Sequence, residues 1–271
     1  MGIAFPSPAR HRVLIVCIVV FLLTICVQVG LDALPDACEW AGLACIPARD
    51  PASQEGSLAS LLLRGMNGTL CQNADFSPEH KTAVWTMVTD NPNYLASALK
   101  MGHSVRTHTT DQNFDLVVME LATKPLASTA RKLLKEMGWK RCVVNRIAPL
   151  DEWGTQTRQS RFLDQFTKLH LWGMTMYETL LYLDSDTLAL RSVGHLLRRN
   201  LGEKRIAVAP QMWYGKFEGF NMGVFVMHPD VDEYERLMRL QQDPSVKFDA
   251  SWAEQGVLLK KKLASLPHGM G

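Results

Sequence analysis

Short apolar, β-rich runs alternate with segments of helical spacing through the middle of this chain, and few architectures accept that order. Ala83 to Thr89, Phe114 to Met119 and Lys140 to Ile147 read as buried strands. Tyr94 to Val105 and Ser128 to Met137 between them carry helical periodicity. Strands separated by helices cannot pair as hairpins, so the pattern predicts an α/β domain with a parallel sheet and crossover helices. Further on, Phe166 to Leu180 reads as a helix, Leu181 to Leu183 as a short buried strand, and Ile206 to Ala209 and Val224 to Met227 as later strands. Tyr234 to Gln241 reads as a last helix.

Composition removes several functional classes. Across 271 residues, 29 Lys and Arg face 27 Asp and Glu, so the net charge of +2 excludes a strongly basic nucleic-acid binder. Six Cys are too few for a disulfide-built scaffold of this length. Residues 13 to 31 form a run without a charge, long enough as a helix for a bilayer core of ~30 Å. Arg10 and Arg12 precede the run and Asp32 follows it, which predicts a signal anchor with the rest of the chain lumenal. A cleaved signal peptide is the rival reading, and Val27 to Gly30 lacks its small-residue cleavage pattern.

The implied organisation is a cytosolic tail (1–12), the anchor (13–31), a Pro-containing stem (32–78) and one catalytic domain (79–271). Lumenal exposure permits disulfides. Cys38 and Cys45 are one candidate pair, and connectivity stays open. Asn67-Gly68-Thr69 fits an N-glycosylation acceptor.

No Gly-rich dinucleotide fingerprint, P-loop or His-Glu-x-x-His motif occurs. Ser104 resembles half a nucleophile elbow but lies inside a helical pattern, so it reads as structural. The informative segment is Leu181-Tyr182-Leu183-Asp184-Ser185-Asp186, where an apolar strand runs into two carboxylates. Continued as a strand, Asp184 and Asp186 share a face at the carboxyl end, where α/β sheets bind ligands. Close carboxylates repel unless a cation lies between them, and a hard divalent ion with a diphosphate fits. A polar turn closing the strand explains the same residues.

Four blocks in order, Lys168-Leu169-His170-Leu171-Trp172, the Asp184 segment, Phe220-Asn221-Met222-Gly223 and Glu254-Gln255-Gly256, together resemble the glycogenin-like retaining glycosyltransferases of family eight. Thr86 to Asp90, followed by Tyr94, resembles that family's opening strand. The resemblance implies a GT-A fold, with a mixed, mostly parallel sheet flanked by helices. It also implies a UDP-sugar donor, Mn²⁺, and a glycan or glycoprotein acceptor. On matching positions it implies metal ligation by Asp184 and Asp186, and a uridine pocket at Met87, Thr89, Asp90 and Tyr94. Ser185 would lie near the ribose, Lys168 near the diphosphate, and Asn221 and Gln255 near the transferred sugar. Asp249 or Glu254 would stand near the reacting carbon, and retention would follow a front-face course.

Outside that resemblance, Lys168 reads as a solvated helix residue, His170 and Trp172 as helix packing, and Tyr177 and Tyr182 as core. The pattern also departs from the family. Glu254 stands where the family usually has Asp, and the surroundings of Asp249 are not the family's Gly-rich run. The chain stops at Gly271, before the family's His and Lys-Pro-Trp, and His268 comes too early to replace that His, which implies a truncated chain. With the anchor, the reading is a Golgi-type membrane glycosyltransferase. A catalytically impaired binding module and a nucleotidyltransferase are the alternatives.

Overall fold

The computed structural model describes residues 70–89, 91–148, 160–202, 205–214, 216–246 and 254–256. Three strands follow the expected alternation: β1 (Thr82–Val88), β2 (Asp115–Leu121) and β3 (Trp139–Val144). They are joined by α1 (Pro92–His108) and α2 (Ser128–Glu136). After them come β4 (Thr179–Leu183), the short α3 (Gly194–Leu197), β5 (Ile206–Trp213), β6 (Lys216–Met227) and α4 (Val231–Gln242). The sheet order is β3-β2-β1-β4-β6-β5. β3, β2, β1 and β4 are parallel, whereas β6 lies antiparallel between β4 and β5. The sheet is therefore mixed, as expected from the family resemblance, and not the all-parallel sheet that the alternation alone suggests.

The pleat splits the core into two layers. Trp85, Met87, Val117, Met119, Leu180, Tyr182 and Phe225 face one side, where Tyr234 and Leu237 of α4 pack. Val84, Val88, Leu116, Val118, Leu181 and Val226 face the other, under Ala98, Met101 and Val105 of α1. α1 begins where the sequence supplies its start signals. Asn91 caps by accepting from the Asn93 N–H at 2.9 Å, and Pro92 occupies the first turn. Gly102 admits the Trp139 indole, since a Cβ there would lie 2.4 Å from its ring.

The helix expected at Phe166 to Leu180 is displaced toward the N-terminus. Ser160–Gly173 is a 3-10 helix, and β4 already starts at Thr179. Three residues per turn stack every third side chain. Asp164, Thr167 and His170 form one row and hold the chain leaving β3. Asp164 Oδ1 accepts from Arg146 Nε at 2.7 Å, Thr167 Oγ1 accepts from the Ile147 N–H at 3.2 Å, and His170 Nε2 lies 2.9 Å from the Asn145 carbonyl. Phe166, Leu169 and Trp172 form the core-facing row. His170 thus packs inside, as expected, but with polar duties. Burial pulls its pKa down to about 4, only partly opposed by the Asn145 carbonyl, and its Nδ1 lies 2.9 Å from the Tyr234 hydroxyl.

The two sheet edges are treated differently. Along β3, the Gln72 N–H donates to the Val143 carbonyl at 2.8 Å. The Asn73 side chain accepts from the Val143 N–H and donates to the Arg141 carbonyl, both at 2.8 Å. Cys71 and Cys142 are joined in a disulfide. Residues 71–73, which the sequence reading puts in the stem, are thus fastened to the sheet. β5 contains Pro210, and its pairing with β6 shifts register twice, at Val208/Ala209 and Gln211/Met212, the extra residues lying on β6.

Among the described residues no helix is long and apolar enough to cross a membrane. The anchor at residues 13–31, the Cys38–Cys45 pair, Asn67 and His268 lie outside the described residues.

Candidate functional site

The site forms where β4 ends against β6. β4 stops at Leu183, and the next three residues turn instead of continuing as a strand. The Asp184 carbonyl accepts from the Thr187 N–H at 3.0 Å and from the Thr187 hydroxyl at 2.8 Å. The shared-face argument for Asp184 and Asp186 therefore fails, because a turn has no two-residue pleat. Asp184 itself stays in line with the sheet, since its N–H donates to the Gly223 carbonyl of β6 at 2.7 Å. Ser185 is buried and Asp186 is exposed. The following loop is fastened to α1: the Ala189 N–H donates to Ser104 Oγ at 2.9 Å, and the Val193 N–H to Thr109 Oγ1 at 3.1 Å. Ser104 is structural, as expected.

Lys168 reaches this turn from the 3-10 helix. It is 3% exposed, so it is not the solvated residue that helix spacing alone suggests. Its Nζ lies 3.0 Å from Asp184 Oδ1 and 3.4 Å from Glu254 Oε1, and donates to the Met222 carbonyl at 3.2 Å. Burial works against the ammonium, but Glu254 and Asp184 outweigh it and the Lys168 pKa is raised. Burial also raises the Glu254 carboxyl, and Lys168 only partly offsets that. Both groups move up because one ammonium serves two carboxylates. Neighbouring Gln255 has a buried Oε1 without a hydrogen-bond partner.

β6 brings in Asn221. Its Oδ1 accepts from the Gly223 N–H at 2.8 Å, and its Nδ2 donates to Gln211 Oε1 of β5 at 3.1 Å, so the amide is fixed at both ends. Gly223 keeps the space open: a Cβ there would lie 2.6 Å from Asp184 Oδ2 and 2.9 Å from Asn221 Oδ1. Lys168, Asp184, Glu254 and Asn221 are thus assembled together, with Ser185, Asp186 and Gln255 as their chain neighbours. Met87, a core residue, and Thr89 lie at the carboxyl end of β1, beside β4, and Tyr94 lies in the first turn of α1. Asp90 and Asp249 lie outside the described residues.

Three contributors escaped sequence reasoning. Tyr182 is core, as expected, yet its hydroxyl donates to Asp184 Oδ1 at 3.0 Å. Gln211 and the Met222 carbonyl carry no motif. The repeat of polar residues at 164, 167 and 170 was a readable signal for the winding that presents Lys168.

A second acidic group lies at the opposite end of the sheet. Ligand atoms of Glu79, His80 and Asp115 come within 4.8 Å of one another. Lys140 Nζ is 2.6 Å from Glu79 and 3.9 Å from Asp115, and the Tyr177 hydroxyl donates to Asp115 at 2.9 Å. With a lysine already supplying the positive charge, this group reads as an ion-paired cluster that holds the amino ends of β1 and β2.

The family model described as Glycosyl transferase family 8 matches residues 86–243. Human glycogenin-1 is 31% identical over 172 residues, covering 63% of this chain and 45% of that protein. Human glycogenin-2 is 31% identical over 205 residues, covering 75% and 38%. Inositol phosphorylceramide glucuronosyltransferase 1 of Arabidopsis thaliana is 26% identical over 167 residues, covering 62% and 28%. The chain spans less than half the length of these relatives. Among solved structures, the galactosyltransferase LgtC with donor and acceptor sugar analogs matches at a TM-score of 0.48 and 18% identity, covering 66% of this chain and 70% of that one.

Proposed function

This chain belongs to glycosyl transferase family 8, and we propose that it is a GT-A glycosyltransferase that moves a sugar, with retention, from a UDP-sugar to a glycan or glycoprotein acceptor. The observation that carries this reading is the buried Lys168 ammonium held beside Asp184 at the carboxyl end of β4. Glycogenin and glucuronosyltransferase, the names of its relatives, belong to proteins that handle sugars.

The donor set suits a divalent cation such as Mn²⁺. Asp184 Oδ2 has no donor among the described residues, Gly223 leaves the space beside it open, and Asp186 follows in the exposed turn. Asp184 and Asp186 would hold the ion, and a bound cation supplies positive charge to a departing phosphate. The chain's own groups do the rest. Lys168, whose three N–H groups are taken by Asp184, Glu254 and the Met222 carbonyl, supplies positive charge beside the diphosphate as the bond between the anomeric carbon and its phosphate oxygen breaks. The acceptor oxygen bonds to that carbon, its proton passes to the leaving phosphate oxygen, and UDP departs. The fixed amide of Asn221 and the unpartnered Gln255 Oε1 orient the sugar hydroxyls. In this reading Met87, Thr89 and Tyr94 would line the base pocket, Ser185 would lie at the ribose, and Glu254 would stand near the reacting carbon.

In this reading residues 13–31 anchor the chain and the domain lies in the lumen of the Golgi or another secretory compartment. The Cys71–Cys142 disulfide supports that, because such bonds persist in oxidising compartments. A second reading, a binding module without turnover, draws on Glu254, which engages Lys168 at 3.4 Å. It predicts UDP binding without transfer.

The test is the melting temperature of the full chain with Mn²⁺ and UDP, together and apart. Ligand at ~100 times its Kd adds ~2.7 kcal/mol. Wild type is expected to show a shift that needs both ligands, and Asp184→Asn and Asp186→Asn are expected to lose it. An undiminished shift in both variants would sink the reading.

Gly223→Ala is expected to lose the same ligand shift while the unliganded protein melts nearly as before. The three atoms nearest the new Cβ belong to the tips of the Asp184 and Asn221 side chains, and Gly223 has no positive φ to strain. A large fall in unliganded stability would contradict this.

A further inference from the structure

Tyr182 stands two residues before Asp184 in a strand whose five side chains are all buried. Three contacts use three parts of it. Its ring stacks on Phe225 of β6, with centroids 5.1 Å apart and planes 16° from parallel. Its face lies 4.8 Å from the Lys168 ammonium. Its hydroxyl donates to Asp184 Oδ1 at 3.0 Å, the same oxygen that Lys168 approaches at 3.0 Å. Two donors therefore converge on Oδ1, and Oδ2 is left toward Gly223 and Asn221.

We propose that Tyr182 is a positioning residue for the donor site: with Lys168 it pins Oδ1 of Asp184 so that Oδ2 stays turned toward the open space beside Gly223 for a cation. This rests on the reading of Asp184 as a cation ligand. The terminal torsion of a carboxylate is soft and roughly two-fold, so a lone donor leaves it free to rotate. Two donors from different elements, one on β4 and one on the 3-10 helix, remove that freedom. Hydrogen bonds to a ligating group from behind commonly govern metal affinity by about 10–100-fold. The stacking on Phe225 does not need the hydroxyl, nor does the ring face beneath Lys168. Tyr182→Phe therefore separates the orienting bond from the packing.

The experiment is titration of the full chain with Mn²⁺ in the presence of saturating UDP, against a protein-free Mn²⁺ and UDP blank, following free Mn²⁺ by electron paramagnetic resonance, beside an unliganded melt. Tyr182→Phe is expected to melt like wild type and to bind Mn²⁺ about 10–100-fold more weakly. In turnover, the Mn²⁺ concentration for half-maximal rate should rise by the same factor, with kcat recovered at saturating Mn²⁺. Tyr182→Leu removes the ring as well and is expected to lower the melt in addition. A folded Tyr182→Phe that binds Mn²⁺ as tightly as wild type overturns the assignment and leaves the donor-site reading intact. A wild type that binds no Mn²⁺ overturns both.

Discussion

Replacing Lys168 with Met is expected to lower the unfolding free energy by about 3–5 kcal/mol at neutral pH and to abolish most sugar transfer. The side chain is 3% exposed, and Glu254, which it serves, is 2% exposed. Met fills the stem's space but leaves Glu254 and Asp184 facing each other without a cation. Breaking a buried pair from one side costs more than the pair contributes, because the remaining charge cannot be rehydrated.

The pH dependence carries the sign. In wild type the Lys168 pKa is raised on folding, so its stabilisation is complete below about 10.4 and fades as pH climbs through the folded value. Glu254 is raised as well, so its ionisation weakens the fold as pH rises above the ordinary carboxyl range. The Met variant should therefore regain part of its stability on mild acidification, as Glu254 takes up a proton. Urea denaturation from mildly acidic to mildly alkaline pH measures this. A variant as stable as wild type throughout would mean the carboxylates do not depend on Lys168.

The second large effect is expected at the disulfide. Cys71 and Cys142 are 71 residues apart in sequence, and closing a loop of that length is worth about 4 kcal/mol in the chain-entropy account. Cys71→Ser, or reduction of the wild type, should lower the melting temperature by roughly 10 °C for a domain of this size. Cys142 is fully buried, so reduction should be slow until the β3 edge opens. Melting with and without reductant tests this, and identical curves would show that the bond adds nothing to the fold.

What was readable in advance follows from physics at particular residues. β1 and β2 were legible because parallel strands covered on both faces are nearly continuous apolar runs, and the edge strand β3 was legible through Cys142-Val143-Val144. α1 announced itself through Asn91 and Pro92. The 3-10 helix was misframed because its period is three, and because apolar Met174, Met176 and Tyr177 extend its pattern toward β4. The first half of β6, Lys216 to Gly223, mixes charged, polar and glycine residues and so carries no strand signal. At the site, Asp184 was visible as a carboxylate ending an apolar strand. The meeting of Lys168, Asp184 and Glu254 was not, because it joins segments far apart in sequence, and only the family resemblance brought them together. Tyr182 was hidden by its own strand, where a buried aromatic ring reads as packing and its hydroxyl leaves no trace.

The treatment of the two sheet margins has a consequence for crowded solutions. Where copies of a domain meet at high local density, a straight open strand invites a neighbour to add its own. Here one margin is already occupied by the chain's own Gln72 and Asn73, locked by a covalent bond. The other, β5, is interrupted by a proline that has no N–H to offer. Copies of this domain at high concentration therefore meet a covered β3 margin and a proline-interrupted β5 margin, which disfavours edge-to-edge pairing.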